Sequence, residues 1–185
     1  RAIAQKQGPH TPVGEVLASQ MRPPTFPVGL EVMGGKLEFE DVPQGDIVRL
    51  GEVEVRHAAV DHPNGCFAYR VDHGGRSVVY ATDLEHGNDI NPELAQLCER
   101  ADVLIYDAMY TPEEYEGEVG PARHGWGHST FEAGARLADH AGVRQLVLFH
   151  HDPSHDDGFM DELRERARKR RPSTEVAREG MTITL

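Results

Sequence analysis

Between residues 37 and 76 apolar and polar positions alternate with a period of two, a pattern that predicts strands at 37–39, 47–50, 53–55 and 67–71. Pro43-Gln44-Gly45 and Gly51 punctuate them, as in an antiparallel meander. His73-Gly74-Gly75 supplies a hairpin turn into a further strand at 77–80. Beyond Asp83 the period becomes helical. Asn91-Pro92 reads as an N-cap with proline in the first turn, and Leu94, Leu97, Cys98 and Ala101 follow at i, i+3, i+4 and i+7. The all-apolar runs 103–106 and 146–149 predict strands covered on both faces. Between them, Phe131, Ala135 and Ala138 recur at helical spacing and Gly142 supplies the stop, while residues 108–127 read as a long loop. A last helix over 156–170 turns Phe159, Met160, Leu163 and Ala167 inward, and a strand pair at 175–177 and 181–184 closes the chain. Upstream, residues 1–30 form an irregular lead-in with a short helix over 13–21 before Pro23, Pro24 and Pro27. The expectation is an α/β chain, one domain over 1–185, with a sheet covered by helices.

Composition adds constraints. A length of 185 residues with 38% hydrophobic and 27% charged side chains fits a soluble globular protein. No apolar run reaches the roughly 18 residues of a membrane span, so no membrane partner is expected. The 31 acidic and 19 basic side chains give a net charge of −12, which disfavours a broad grip on nucleic acid. A small anionic substrate would need compensation from metal ions or a few well-placed arginines. Cys66 and Cys98 lack C-x-x-C spacing and read as reduced core thiols of a cytoplasmic protein. A homodimer is compatible with this composition.

The chemistry concentrates at strand ends. Asp83 follows one apolar run, Asp107 a second and His150 a third. His62 closes the strand before it in a tight turn, Asp61-His62-Pro63-Asn64-Gly65. Reactive groups of helix-covered sheets gather beyond the carboxyl ends of strands, and histidine plus carboxylate suits a catalytic zinc or manganese ion. Each taken alone reads more readily as a cap or turn residue. His128 directly precedes a helix, with Ser129 and Glu132 at capping-box spacing. Free backbone N–H groups there favour an anion such as phosphate. His86 and His124 are pocket-lining candidates, and His155 is a supporting residue or part of a helix N-cap. His57 and His140 are read as surface residues and His73 as a turn residue. Arg166, Arg168, Lys169, Arg170 and Arg171 read as helix-dipole compensation in preference to an anion site.

Four stretches in order, HPNGCFAYRV (62–71), SVVYATD (77–83), GHST (127–130) and LVLFHHDP (146–153), resemble the metallo-β-lactamase-fold hydrolases. The nearest branches are phosphodiesterase-like: phosphoribosyl cyclic phosphodiesterase and, more distantly, ribonuclease Z. The resemblance spans about residues 30 to 170 and implies an αββα sandwich, of which this chain supplies mainly the C-terminal half. It implies His62 and His150 as metal ligands, Asp83 as the carboxylate bridging two zinc or manganese ions, and His128 as a non-ligand group on the scissile phosphate. His151 competes with His150 as ligand; alternation along a strand admits one of them, and His150 directly follows the apolar run. Asp107 is expected to hold a ligand histidine or to cap its strand.

The H-x-H-x-D-H loop that supplies most ligands in these enzymes has no counterpart in the sequence, and His10 is not a substitute. Matched to the family, Arg1 falls after that loop, so the expectation is a fragment of a longer polypeptide, inactive alone. The implied reaction is hydrolysis of a small phosphodiester or cyclic phosphate by a metal-activated hydroxide. The acidic charge disfavours a transfer-RNA precursor. The alternatives are a non-catalytic interaction module and a thioester or lactone hydrolase on the same scaffold.

Overall fold

The structure is a computed structural model that describes residues 12–24, 26–43 and 45–185; His10 lies outside them. The chain divides into two compact units, residues 1–46 and 47–185. In the first, α1 (Val13–Gln20) is held where Asp41 Oδ1 accepts from the Val13 backbone N–H at 3.0 Å. Residues 37–39 form no strand. The alternation expected there is real, but Leu37 and Phe39 are exposed and no neighbouring strand pairs with them.

The second unit is one seven-stranded sheet in sequence order. β1 (Val48–Leu50), β2 (Val53–Val60), β3 (Cys66–His73) and β4 (Arg76–Ala81) form the expected antiparallel meander. At the β3–β4 hairpin Gly74 and Gly75 both have positive φ, which two-residue turns of matching twist require. From β4 the direction changes: β5 (Val103–Asp107), β6 (Gln145–Phe149) and β7 (Thr174–Val176) add in parallel. Parallel neighbours need crossovers. α2 (Pro92–Cys98), α4 (Phe131–His140) and α5 (Asp157–Arg170) supply them. Residues 181–184 form no strand, so the expected closing pair is reduced to β7.

One sheet face carries Val79, Leu104, Leu146 and Leu148, which pack with Leu94, Leu97, Phe131, Leu137 and Leu163 of the helices. Val71, Tyr80 and Phe149 of the other face are exposed. Cys98 lies inside the core, where burial pushes its thiol up to about 12. His57, expected at the surface, is buried on β2 with its ring edge against Phe67. The basic run of α5 is used in ion pairs: Arg166 with Glu113, Arg168 with Glu175, Arg170 with Glu132 and Asp139, and Arg171 with Asp139.

Two local elements differ from the pattern expected of the sequence. The 108–127 segment contains a short helix, α3 (Pro112–Glu116), opened by a Thr111–Glu114 capping box. The cap of α4 is Thr130, whose hydroxyl accepts from Ala133 N–H, and not Ser129. Ser129 is fully buried and bonds elsewhere.

Gly134 sits mid-helix on α4, where alanine ordinarily gains about 1 kcal/mol. Here a Cβ would stand 2.6 Å from the Tyr106 ring. Gly134→Ala is therefore expected to destabilise by about 1–3 kcal/mol, the range of overpacked cores. Urea denaturation checks it, and a gain in stability would contradict it.

Candidate metal centre

β4, β5 and β6 lie side by side in parallel, so their carboxyl ends open on one edge. Asp83 follows β4, Asp107 ends β5 and His150 follows β6. Asp83 (φ 55°) and His150 (φ 60°) are left-handed. That backbone costs a non-glycine residue about 1–2 kcal/mol, and such strain collects at functional sites. Here it accompanies a close approach: His150 Nε2 stands 3.7 Å from Asp83 Oδ1.

Asp107 lies beneath both. Its carboxylate is wholly buried and accepts from the backbone N–H of Asp83 (3.0 Å), Met109 (3.2 Å) and Ser129 (3.0 Å). His128 Nδ1 lies 3.2 Å from its Oδ2. His150 Nδ1 faces the same oxygen at 3.1 Å, an ion-pair distance without hydrogen-bond alignment. Burial alone would push the Asp107 carboxyl up, but the contacts from His128, His150 and Ser129 hold it below the usual carboxylate range. Asp107 in turn raises His150, against the effect of its partial burial. With Nδ1 turned to Asp107 in both rings, Nε2 is the edge each has left. A carboxylate behind a histidine fixes the tautomer that a metal ligand needs. The rings of His128 and His150 lie 5.1 Å apart. One ligand atom from each of Asp83, His128 and His150 falls within 4.8 Å of the others. An anionic oxygen and an imidazole at that spacing suit a divalent ion, with the second imidazole placed to meet an anion beside it.

His62 lies 6.2 Å from the His128 ring but outside that group of three. Its Nδ1 accepts from Asn64 N–H at 3.3 Å. His151 turns away: its Nδ1 lies 3.3 Å from Ala108 O, and burial lowers it. His155 pairs with Glu114 at 2.9 Å, and the N-cap of α5 is Asp156. His140 is exposed on α4, and His73 stands at the hairpin.

Gly127 makes the approach of His62 to His128 feasible. Its φ is +84°, and a Cβ there would stand 2.4 Å from His62 Cδ2 and 2.7 Å from Pro63 Cδ. Gly127→Ala is expected to cost about 1–3 kcal/mol and to displace the His62 ring. A changed His62 ring resonance with an unchanged His150 checks it; an unmoved His62 would contradict it.

Glu85 is the residue that sequence reasoning missed. Its carboxylate accepts from Gly125 N–H (2.6 Å), Gly127 N–H (3.0 Å) and Tyr115 O–H (2.7 Å). Burial opposes ionisation of Glu85, yet these three donors hold its carboxyl below the ordinary value. The 123–127 turn is thereby clamped beside the centre. The only sequence signal was an acid two positions after Asp83. His86 bonds Ser129 Oγ at 2.9 Å, and Ser129 Oγ also meets Tyr106 Oη at 2.9 Å. Burial, and then Arg136, lowers His86.

A cleft of about 680 Å³ opens beside His62, walled by Glu85, His86, His124 and Arg136. Among the described residues Arg136 has no ion-pair partner. Arg123 and Arg136 lie on either side of His128 in sequence.

The sequence profile of the Beta-lactamase superfamily domain matches residues 6–151. The chain belongs to this superfamily. Among its relatives, ribonuclease Z of Myxococcus xanthus (strain DK1622) is 24% identical over 204 residues, covering 85% of this chain and 65% of the relative. The metallo-beta-lactamase fold protein YhfI of Bacillus subtilis superposes with a TM-score of 0.61 at 21% identity, over 77% of this chain and 52% of that one. Zn(2+)-bound PqqB of Methylobacterium extorquens superposes with a TM-score of 0.60 at 15% identity, over 79% and 52%. These structures share the fold. The chain spans 65% of the ribonuclease Z relative and about half of either structure.

Proposed function

We propose that this chain carries part of a metal-dependent phosphoester hydrolase centre, acting on a small phosphodiester or cyclic phosphate. The observation that carries this reading is the gathering of Asp83, His128 and His150 within 4.8 Å above one buried carboxylate. Asp83 and His150 would hold a divalent ion, zinc or manganese, with His62 joining once its Nδ1 leaves Asn64 N–H. When bound, such an ion lowers the pKa of water and polarises a phosphoryl oxygen. His128, oriented through Nδ1 by Asp107, would present Nε2–H to the phosphoryl oxygen when both ring nitrogens are protonated. Arg136 offers an anionic substrate an uncompensated positive charge in a chain of net charge −12. The family's ribonuclease Z members support phosphoester chemistry, while this chain's acidity favours a small substrate over transfer RNA.

The test is hydrolysis of bis(p-nitrophenyl) phosphate against a thioester by the full-length protein supplied with manganese or zinc. Metal-dependent release of p-nitrophenol, lost in Asp83→Asn, is expected. Thioester cleavage alone would overturn the reading.

A further inference from the structure

The 123–127 turn holds a second feature that the metal centre does not use. The Arg123 guanidinium lies between two rings, 5.5 Å from the centroid of Tyr110 and 4.5 Å from that of Trp126. Its Nε is buried with no hydrogen-bond partner, and no ion pair to it occurs among the described residues. Two aromatic faces flank this cation, and the Asp152 carboxylate acts on it at longer range. The stack begins at Tyr110, which is buried with its ring centroid 6.0 Å from that of His128. It ends at Trp126, which is 52% exposed. The indole offers a flat apolar face on which a planar ring can stack. The turn is not loose. Glu85 grips Gly125 and Gly127 on either side of Trp126, and Trp126 N–H donates to Arg123 O at 3.2 Å. A rigid, open-topped stack two residues from His128 is preorganised to receive one more planar ring.

We propose that Trp126, backed by Arg123, is a stacking platform for an aromatic ring attached to the phosphoester, a nucleobase, so that the substrate class is a nucleotide phosphoester. The proposal rests on the phosphoester reading of the centre for the placement of the phosphate. A pentose phosphate without a base would reach the centre but leave the platform bare.

Trp126 is the single tryptophan of the sequence, so intrinsic fluorescence reports on it alone. Titration with AMP is expected to quench it, and titration with ribose 5-phosphate is not. By equilibrium dialysis, Trp126→Ala is expected to bind AMP about five- to hundredfold more weakly, the contribution of one base stacked on an aromatic side chain. Ribose 5-phosphate binding should be unchanged, and Trp126→Phe should restore most of the AMP affinity. If AMP binds no more tightly than ribose 5-phosphate, or Trp126→Ala binds it as well as the parent, the platform is overturned. That result leaves the phosphoester reading intact, since the sugar phosphate still binds; loss of metal-dependent hydrolysis with quenching retained would have the converse meaning.

Discussion

Asp107→Asn is expected to destabilise the protein by about 3–5 kcal/mol, the cost of breaking a buried charged network, and to weaken zinc binding by roughly 10–100-fold, as the loss of a supporting carboxylate does. Asparagine has the same shape. It keeps one acceptor but turns an NH2 toward groups that are themselves donors. Oδ2 of Asp107 faces Asp83 N–H and His128 Nδ1, and Oδ1 faces Ser129 N–H and Met109 N–H. Whichever way the amide is placed, at least two of these meet a donor, and His150 Nδ1 is a third where the NH2 takes the place of Oδ2, in a site with no solvent exposure. Each buried donor left unpaired costs about 1–3 kcal/mol. Urea denaturation of the metal-free protein and a zinc titration measure the two effects. A stability loss below about 1 kcal/mol would show that Asp107 is not the support described here.

Asp83→Asn should separate metal binding from stability. The Asp83 side chain is 43% exposed. Its backbone N–H, and not its carboxylate, bonds Asp107. Asparagine tolerates the left-handed backbone at this position as readily as aspartate. Metal-free stability should therefore stay within about 0.5 kcal/mol of the parent, as for ordinary exposed substitutions. Removing the only anionic donor among Asp83, His128 and His150 should nonetheless weaken zinc binding more than about a hundredfold, beyond the effect of outer supporting groups. A large stability loss with unchanged zinc affinity would assign Asp83 a structural role instead.

Much of the second unit was legible because its signals are local. The period-two runs, the paired glycines after His73 and the Asn91-Pro92 cap each dictate backbone within a few residues. The strand at 37–39 failed because alternation needs a pairing partner, which local pattern cannot supply. The capping box failed for a tertiary reason. Ser129 has the right residue type and spacing, but His86 and Tyr106 claim its hydroxyl, and the cap passes to Thr130. His57 is an apparent surface residue that the β2–β3 register places inside, against Phe67. Strand-end position singled out Asp83, Asp107 and His150 as candidates, and the parallel order of β4, β5 and β6 brings them to one edge of the sheet. The burial of Asp107 and its many bonds depend on residues far apart in the chain, as does the grip of Glu85 on Gly125 and Gly127. No helix of the described residues is long and apolar enough to cross a membrane.

Ring-nitrogen spectra of the histidines during a zinc titration probe the centre most directly. Nε2 of His150 should shift to a metal-bound position while its Nδ1 keeps its proton against Asp107, and Asp83→Asn should abolish the shift. Zinc that leaves the His150 ring unchanged, or that shifts it equally in Asp83→Asn, would mean that these strand ends do not form a metal site.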